Sequence, residues 1–422
     1  MQELFPFLSS RAAAKIVDNT LLEKYEALAA NLYDRETNPE GIINLGVAEN
    51  ALMYEELIEF INKNLSVDDF DCTYGTGPTG SVSLRSGLAK LMNTYFSPAT
   101  PVLPQHISMS SGVSAVLELV AWALANPGDG ILIGRPFYMA FPHDFEARAE
   151  VNVVPVAFEL SDPFAVDCVQ WYEKALEEFE SRPGASGRVR ALVLCNPHNP
   201  LGECYTREAL VALMKMCQKR GIHFISDEIY ALSKFDNEEA PDAPTFTSAL
   251  SIPLDGVIEP ALVHVLYGMS KDWSANGFRV GAFISQHNKQ VLQGFGAVSV
   301  FGWPSSISDR TWSAILNDEG FIKMWIDTNS KRLGENYKRA TALLRKHGIK
   351  YRAKANAALF LWIDLSPYLS AATWEAERDL AKRLMQGGVN FGAGEDFKSE
   401  SPGWFRIVFS MPWDLVEKGL NR

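Results

Sequence analysis

Basic residues are in the minority: 39 lysines and arginines stand against 51 aspartates and glutamates, giving a net charge of −12. No basic stretch exists to neutralise phosphates along a groove, which argues against a nucleic-acid partner. Cysteine is also scarce. The five residues, at 72, 168, 195, 204 and 217, are odd in number, form no C-x-x-C pair and show no zinc-type spacing with the seven histidines. This speaks against a disulfide framework and a metal site, and for buried or half-buried free thiols in a reducing compartment. Long apolar runs are missing too. The longest, Ala115 to Ala125, is interrupted by Glu118 and is shorter than the roughly 20 residues that span a bilayer. MQELFPFLSSRAAAK carries an acid at Glu3 and no charged-then-apolar leader pattern. The expectation is a cytoplasmic protein without membrane association.

The 422 residues, 47% hydrophobic and 21% charged, suit an ordinary globular protein of two or three domains. Residues 1–40 read as an arm and a helix, with Ser9-Ser10 before RAAAKIV and Thr20 as cap of LLEKYEALAANLY. Apolar runs then alternate with amphipathic stretches: strands at 130–133, before Asn196, before Asp227, at 261–267 and at 279–284, and a helix over 206–220 capped by Thr206. Residues 236–260 read as a surface excursion. From about 300 the pattern changes to helices over 308–347, the strand AALFLWIDL, a helix over 373–386 and the strand WFRIVFS. The expected division is an arm at 1–50 that joins the small domain and a subunit interface, a large domain at 51–300 and a smaller α+β domain at 301–422.

The chemistry centres on ALVHVLYGMSKDWSANGFRVGAFIS, residues 261–285. Lys271 lies between two apolar strands, and desolvation there lowers an amine's pKa and frees it to attack carbonyls. Taken alone, such a lysine also suits a loop that snorkels to water. Arg279, behind Gly277, supplies a fixed cation for a phosphate. Ser110-Ser111-Gly112 leads into an apolar helix whose first N–H groups, on Gly112, Val113 and Ser114, suit an anion. ALVLCNPHNPLG ends a buried strand in two Asn-Pro pairs, and GIHFISDEIY places Asp227 at the carboxyl edge of a sheet, the usual ligand crevice of open α/β folds. Gly75, Gly77 and Gly80 match G-x-G-x-x-G spacing, but no apolar strand precedes them and Pro78 interrupts them, so a dinucleotide site is rejected. Arg406 stands mid-strand among apolar neighbours, where a guanidinium is rare without a carboxylate.

The S-K-x6-G-F-R-x-G pattern resembles the cofactor-lysine segment of the class I and II aminotransferases, within them most of all the 1-aminocyclopropane-1-carboxylate (ACC) synthases. The likeness runs from INLGVAEN to WFRIVFS. It implies α/β architecture of fold type I, aspartate aminotransferase-like: a mainly parallel seven-stranded sheet in a large domain plus a smaller α+β domain. It implies pyridoxal 5′-phosphate on Lys271, a homodimer with shared active sites, and a small amino-acid substrate. By the same resemblance Tyr138 stacks on the pyridine ring, and Asp227 holds the ring nitrogen protonated. Asn199 and Tyr230 bond the phenolic oxygen. Gly112, Val113, Ser114, Ser270 and Arg279 hold the phosphate, with Gly268 where the family has a serine. Arg406 clamps the substrate carboxylate, Ala48 and Glu49 face the substrate, and Tyr74 reaches the neighbouring subunit. Two reactions are implied: an ACC-synthase-like lyase or γ-substitution on S-adenosylmethionine or a related γ-activated amino acid, or plain transamination to a 2-oxo acid. A non-catalytic protein on the same fold is the third reading.

Overall fold

The structure, a computed structural model, describes residues 7–17, 26–159, 161–184 and 186–422. The expected helix from Thr20 lies mostly outside these residues. The chain enters through a short strand, β1 (Ile43–Asn44). Seven runs rich in β-branched and aliphatic side chains then build the central sheet: β2 (Ile107–Ser110), β3 (Gly130–Gly134), β4 (Asn152–Val156), β5 (Val189–Cys195), β6 (His223–Asp227), β7 (Val263–Gly268) and β8 (Gly281–Ile284). Their order is β2-β8-β7-β6-β5-β3-β4, and β8 runs opposite to the other six strands.

Continuous apolar strands belong in a sheet buried on both faces. The two-residue alternation is visible in the cores. Leu192, Leu194, Phe224 and Val265 enter one cluster, while Ala191, Val193, Ile225 and Leu266 enter the cluster on the opposite face. The register sets Cys195 beside Asp227, Asp227 beside Leu266, and Gly281 beside both Gly268 and Ser110. The loops that follow β2, β5, β6 and β7 therefore emerge at one edge.

The helices carry the expected signals. Thr206 caps helix Arg207–Arg220, its Oγ1 accepting from the Ala209 N–H at 3.1 Å, and Gly221 closes it in the left-handed region. The C-terminal half forms a second, antiparallel sheet from β9 (Lys350–Tyr351), β10 (Phe360–Asp364), β12 (Gly392–Ala393) and β13 (Trp404–Val408). Its core includes Phe360, Leu361, Phe405 and Ile407. Between β10 and β12 the chain forms β11 (Val389–Asn390), which pairs in parallel with β1. Helix Glu319–Lys346 joins the two cores: Ile322 and Trp325 pack into the first, Leu333, Tyr337 and Leu344 into the second.

The helices expected over 308–347 are Ser306–Leu316 and Glu319–Lys346, and Asp318 starts the second by accepting from the Phe321 N–H at 2.9 Å. Three details depart from expectation. Arg279 does not open β8; it ends the turn Asn276–Phe278 in the left-handed region, with φ 55°. The excursion 236–260 is partly interior: Glu228 is fully buried and accepts from Ser248 Oγ and the Ala249 N–H, tying this segment to β6. Cys72 is exposed, whereas the other four thiols are buried. Among the described residues no helix is long and apolar enough to cross a membrane.

Candidate active site

At the carboxyl edge of the central sheet lies a cavity of about 340 Å³ lined by residues from six separate segments of the chain, among them Glu49, Ser114, Tyr138, Asn199, Asp227 and Lys271. Lys271 stands in the loop after β7, behind Met269 and Ser270. Its Nζ donates to the Ala48 carbonyl at 2.6 Å, and no carboxylate pairs with it among the described residues. Desolvation, reinforced by the Arg406 cation, pushes the amine down to about 8. That value makes it a usable nucleophile and proton acceptor near neutrality.

Asp227 ends β6 and is buried, accepting from the Ile229 N–H at 3.2 Å. Burial raises it to about 7, against the pull of that N–H and of Lys271. Such a carboxylate is stabilised by any cation placed over it. Tyr230 is buried beside it, edge-on to Phe360 of β10 at 5.4 Å between centroids. Tyr138 meets Phe141 edge-on at 5.4 Å and presents a half-buried ring to the cavity.

Arg406 on β13 is 2% exposed and sits over the rings of Phe360 and Phe397, at 4.9 and 4.6 Å. Its Nη1 donates to Asn199 Oδ1 at 2.9 Å and its Nη2 to the Gly46 carbonyl. Asn199 is buried and thus oriented from the second sheet, which leaves its NH2 as the donor toward a ligand. Ala48 contributes its carbonyl rather than its side chain, and the half-buried Glu49 lines the wall.

The anion corner is built from helix Val113–Leu124, with Gly112 as N-cap at φ 90°. A Cβ on Gly112 would lie 2.2 Å from Arg279 Nη2, so only glycine admits the guanidinium here. Arg279 Nη1 donates to the Asn276 carbonyl at 2.8 Å and reaches Ser270 Oγ at 3.5 Å. One expectation is corrected: the Gly112 N–H donates to the Ser110 carbonyl at 2.8 Å and is not offered to an anion. Val113 and Ser114 stay in the first turn, where N–H groups have no intrahelical acceptor. A Cβ on Gly268 would meet Val113 Cγ2 at 3.0 Å, so the valine fills the space a serine would need.

Tyr74 is not brought to this cavity. It is 84% exposed and lines a separate hollow with Phe70, Trp303 and Arg310.

Three contributors escaped the sequence reading. Asp272, buried next to Lys271, accepts from the Leu232 N–H (2.8 Å), Ser233 Oγ (2.6 Å) and Tyr267 OH (3.0 Å), and bolts the lysine loop to the segment after β6. Asn276 shares the Ala48 carbonyl with Lys271 through Nδ2, at 3.1 Å. Asp144 lies behind Ser114. The S-K-D-W run, an acid wedged between a lysine and a tryptophan, was the one available signal for Asp272.

Residues 40–422 match the family model "Aminotransferase class I and II". The chain belongs to the class I and II aminotransferase family. Its relatives include the probable aminotransferase aclI of Aspergillus oryzae, 34% identical over 94% of this chain and 93% of that one. The probable aminotransferase sirI of Leptosphaeria maculans is 31% identical over 98% and 96% of the two chains, and ACC synthase 2 of Cucurbita pepo 32% identical over 96% and 82%. Among solved structures, a Thermus thermophilus aspartate aminotransferase mutant complexed with tryptophan superposes with TM-score 0.77 at 21% identity, covering 98% of each chain. This is the aspartate aminotransferase-like fold that the sequence implied. Like other members of its family, the protein is a pyridoxal-phosphate-dependent enzyme.

Proposed function

We propose that the enzyme acts on an α-amino acid carrying a cationic leaving group at Cγ, S-adenosylmethionine or a close analogue, in an ACC-synthase-like elimination or γ-substitution. The observation that carries this reading is the pairing of charges around the lysine. Arg406 stands behind Asn199 at one wall, suited to a carboxylate, and the Glu49 carboxylate lines the cavity within electrostatic reach of Lys271. An amino acid with a second positive charge complements both. The ACC synthase of Cucurbita pepo supports the same reading.

The residues present fit the cofactor. A buried carboxylate, Asp227, faces the cavity without a cationic partner in contact among the described residues, and a glycine-cleared helix N-terminus meets Arg279 in a cradle that a Cβ would fill. Bound there, pyridoxal phosphate supplies an aldehyde for amines and an electron-accepting ring. Val113, Ser114, Ser270 and Arg279 would hold the phosphate, Tyr138 would stack against the ring, and Asn199 and Tyr230 would donate to the phenolic oxygen. Asp227 keeps a proton on the ring nitrogen. Arg406 fixes the substrate carboxylate, and the Lys271 amine takes the proton from Cα. Tyr74, exposed on a rim with Trp303, completes the site of a second subunit in a homodimer.

Transamination is the second reading, favoured by the fungal relatives aclI and sirI, which are named probable aminotransferases and match over nearly their whole length. Incubating cofactor-loaded enzyme with S-adenosylmethionine separates the two. Release of methylthioadenosine supports the first, and keto-acid formation with pyridoxamine phosphate, without that release, refutes it.

A further inference from the structure

A carboxyl group that this chemistry does not use lies directly behind the anion corner. Asp144, on helix Phe141–Glu146, is 7% exposed. Ser114 lies close enough to pull on its carboxyl, while its Oδ2 is sealed from solvent and has no hydrogen-bond partner among the described residues. The charged groups around it are Asp227 from β6 and Arg279 from the lysine loop; on its own helix His143 is exposed. Burial pushes Asp144 up to about 7, Asp227 adds to this, and Ser114 and Arg279 pull the other way.

A carboxylate only accepts hydrogen bonds, whereas a carboxylic acid has one O–H to give. Beside an ionised Asp144 the Ser114 hydroxyl must spend its single hydrogen on the carboxylate. Beside a protonated Asp144 it can accept from the acid and send that hydrogen elsewhere. Ser114 stands in the first turn of helix Val113–Leu124, where the neighbouring backbone N–H groups already favour an anion.

Resting on the cofactor reading above, we propose that Asp144 is a positioning residue for the cofactor phosphate. Its protonated carboxyl donates to Ser114 Oγ, the Ser114 hydroxyl turns its own hydrogen to the phosphate, and phosphate binding thereby fixes one proton from solvent on Asp144. Asp144→Asn mimics the protonated form, because its NH2 always donates.

The test is a binding titration of apo-enzyme with pyridoxal phosphate, and separately with phosphate-free pyridoxal, from pH 6 to 9. Wild type, Asp144→Asn and Ser114→Ala are compared, with melting curves to verify folding. Above about pH 7 the wild type should lose affinity for pyridoxal phosphate relative to Asp144→Asn, approaching about tenfold per pH unit. The phosphate's own titration is common to both proteins and cancels. Pyridoxal should bind both with the same pH profile. Ser114→Ala should lose the wild-type slope as well, and it decides the matter if Asp144→Asn does not fold. Parallel pH profiles for all three proteins, or an equal difference with pyridoxal, overturn the proposal while leaving the cofactor reading intact. Failure of the wild type to take up pyridoxal phosphate through Lys271 overturns both.

Discussion

Replacing Arg406 by lysine keeps the charge and removes the fork. The guanidinium is held by Phe360, Phe397, Asn199 and the Gly46 carbonyl, so its orientation is set before any substrate arrives. A carboxylate met by a planar fork accepts two parallel charge-assisted hydrogen bonds, and an ammonium at the same place makes one. The lost bond is worth about 1.5–3 kcal/mol, and the Asn199 Oδ1 deprived of its donor adds about 1 kcal/mol. Together these predict a fall in kcat/KM of roughly 10²- to 10³-fold for Arg406→Lys. Cofactor affinity should stay within a few-fold, because Arg406 lies away from the anion corner. The assay is steady-state kinetics on the amino acid alongside half-reaction rates on the matching decarboxylated amine. The amine, which has no carboxylate to clamp, should react alike with both proteins. A variant that keeps kcat/KM on the amino acid within threefold, or that loses as much on the amine, would refute the assignment.

The Lys271 amine is depressed to about 8, so it is protonated below that pH and nucleophilic above it. The rate of cofactor capture by apo-enzyme should rise with pH through a midpoint near 8 and level off above it, and Arg406→Gln, which removes a neighbouring cation, should move that midpoint upward. Gly112→Ala places a methyl where Arg279 Nη2 now sits, in a left-handed conformation that disfavours alanine, and should weaken cofactor binding by at least about tenfold in equilibrium titration. Asp272→Ala strands three buried donors, on Leu232, Ser233 and Tyr267, at about 1–3 kcal/mol each, and should lower the thermal midpoint by more than 5 °C, whereas Asp272→Asn should lose less.

The central sheet was legible because its strands are buried on both faces and read as unbroken apolar runs, with polar ends at Asn196, Asp227 and Lys271 marking one edge. Helix Arg207–Arg220 was legible for a local reason, its threonine cap and closing glycine. Other features depend on contacts distant in sequence. The conformation of Arg279 follows from its bond to the Asn276 carbonyl and the gap over Gly112, neither of which leaves a periodic trace. Asp144 looks like a surface acid in F-P-H-D-F and becomes interior only because its short helix packs on Val113–Leu124. The loss of the Gly112 N–H to the Ser110 carbonyl was equally invisible, since it reflects a tight turn rather than a residue type.

The central claim is that Lys271 carries the cofactor. Wild type and Lys271→Ala, each saturated with pyridoxal phosphate, reduced with borohydride and digested, give the most direct answer by peptide mass spectrometry. The account predicts a pyridoxyl adduct on the wild-type peptide that contains Lys271, and no stable adduct in the variant. An equal yield of adduct on another lysine in both proteins would contradict it.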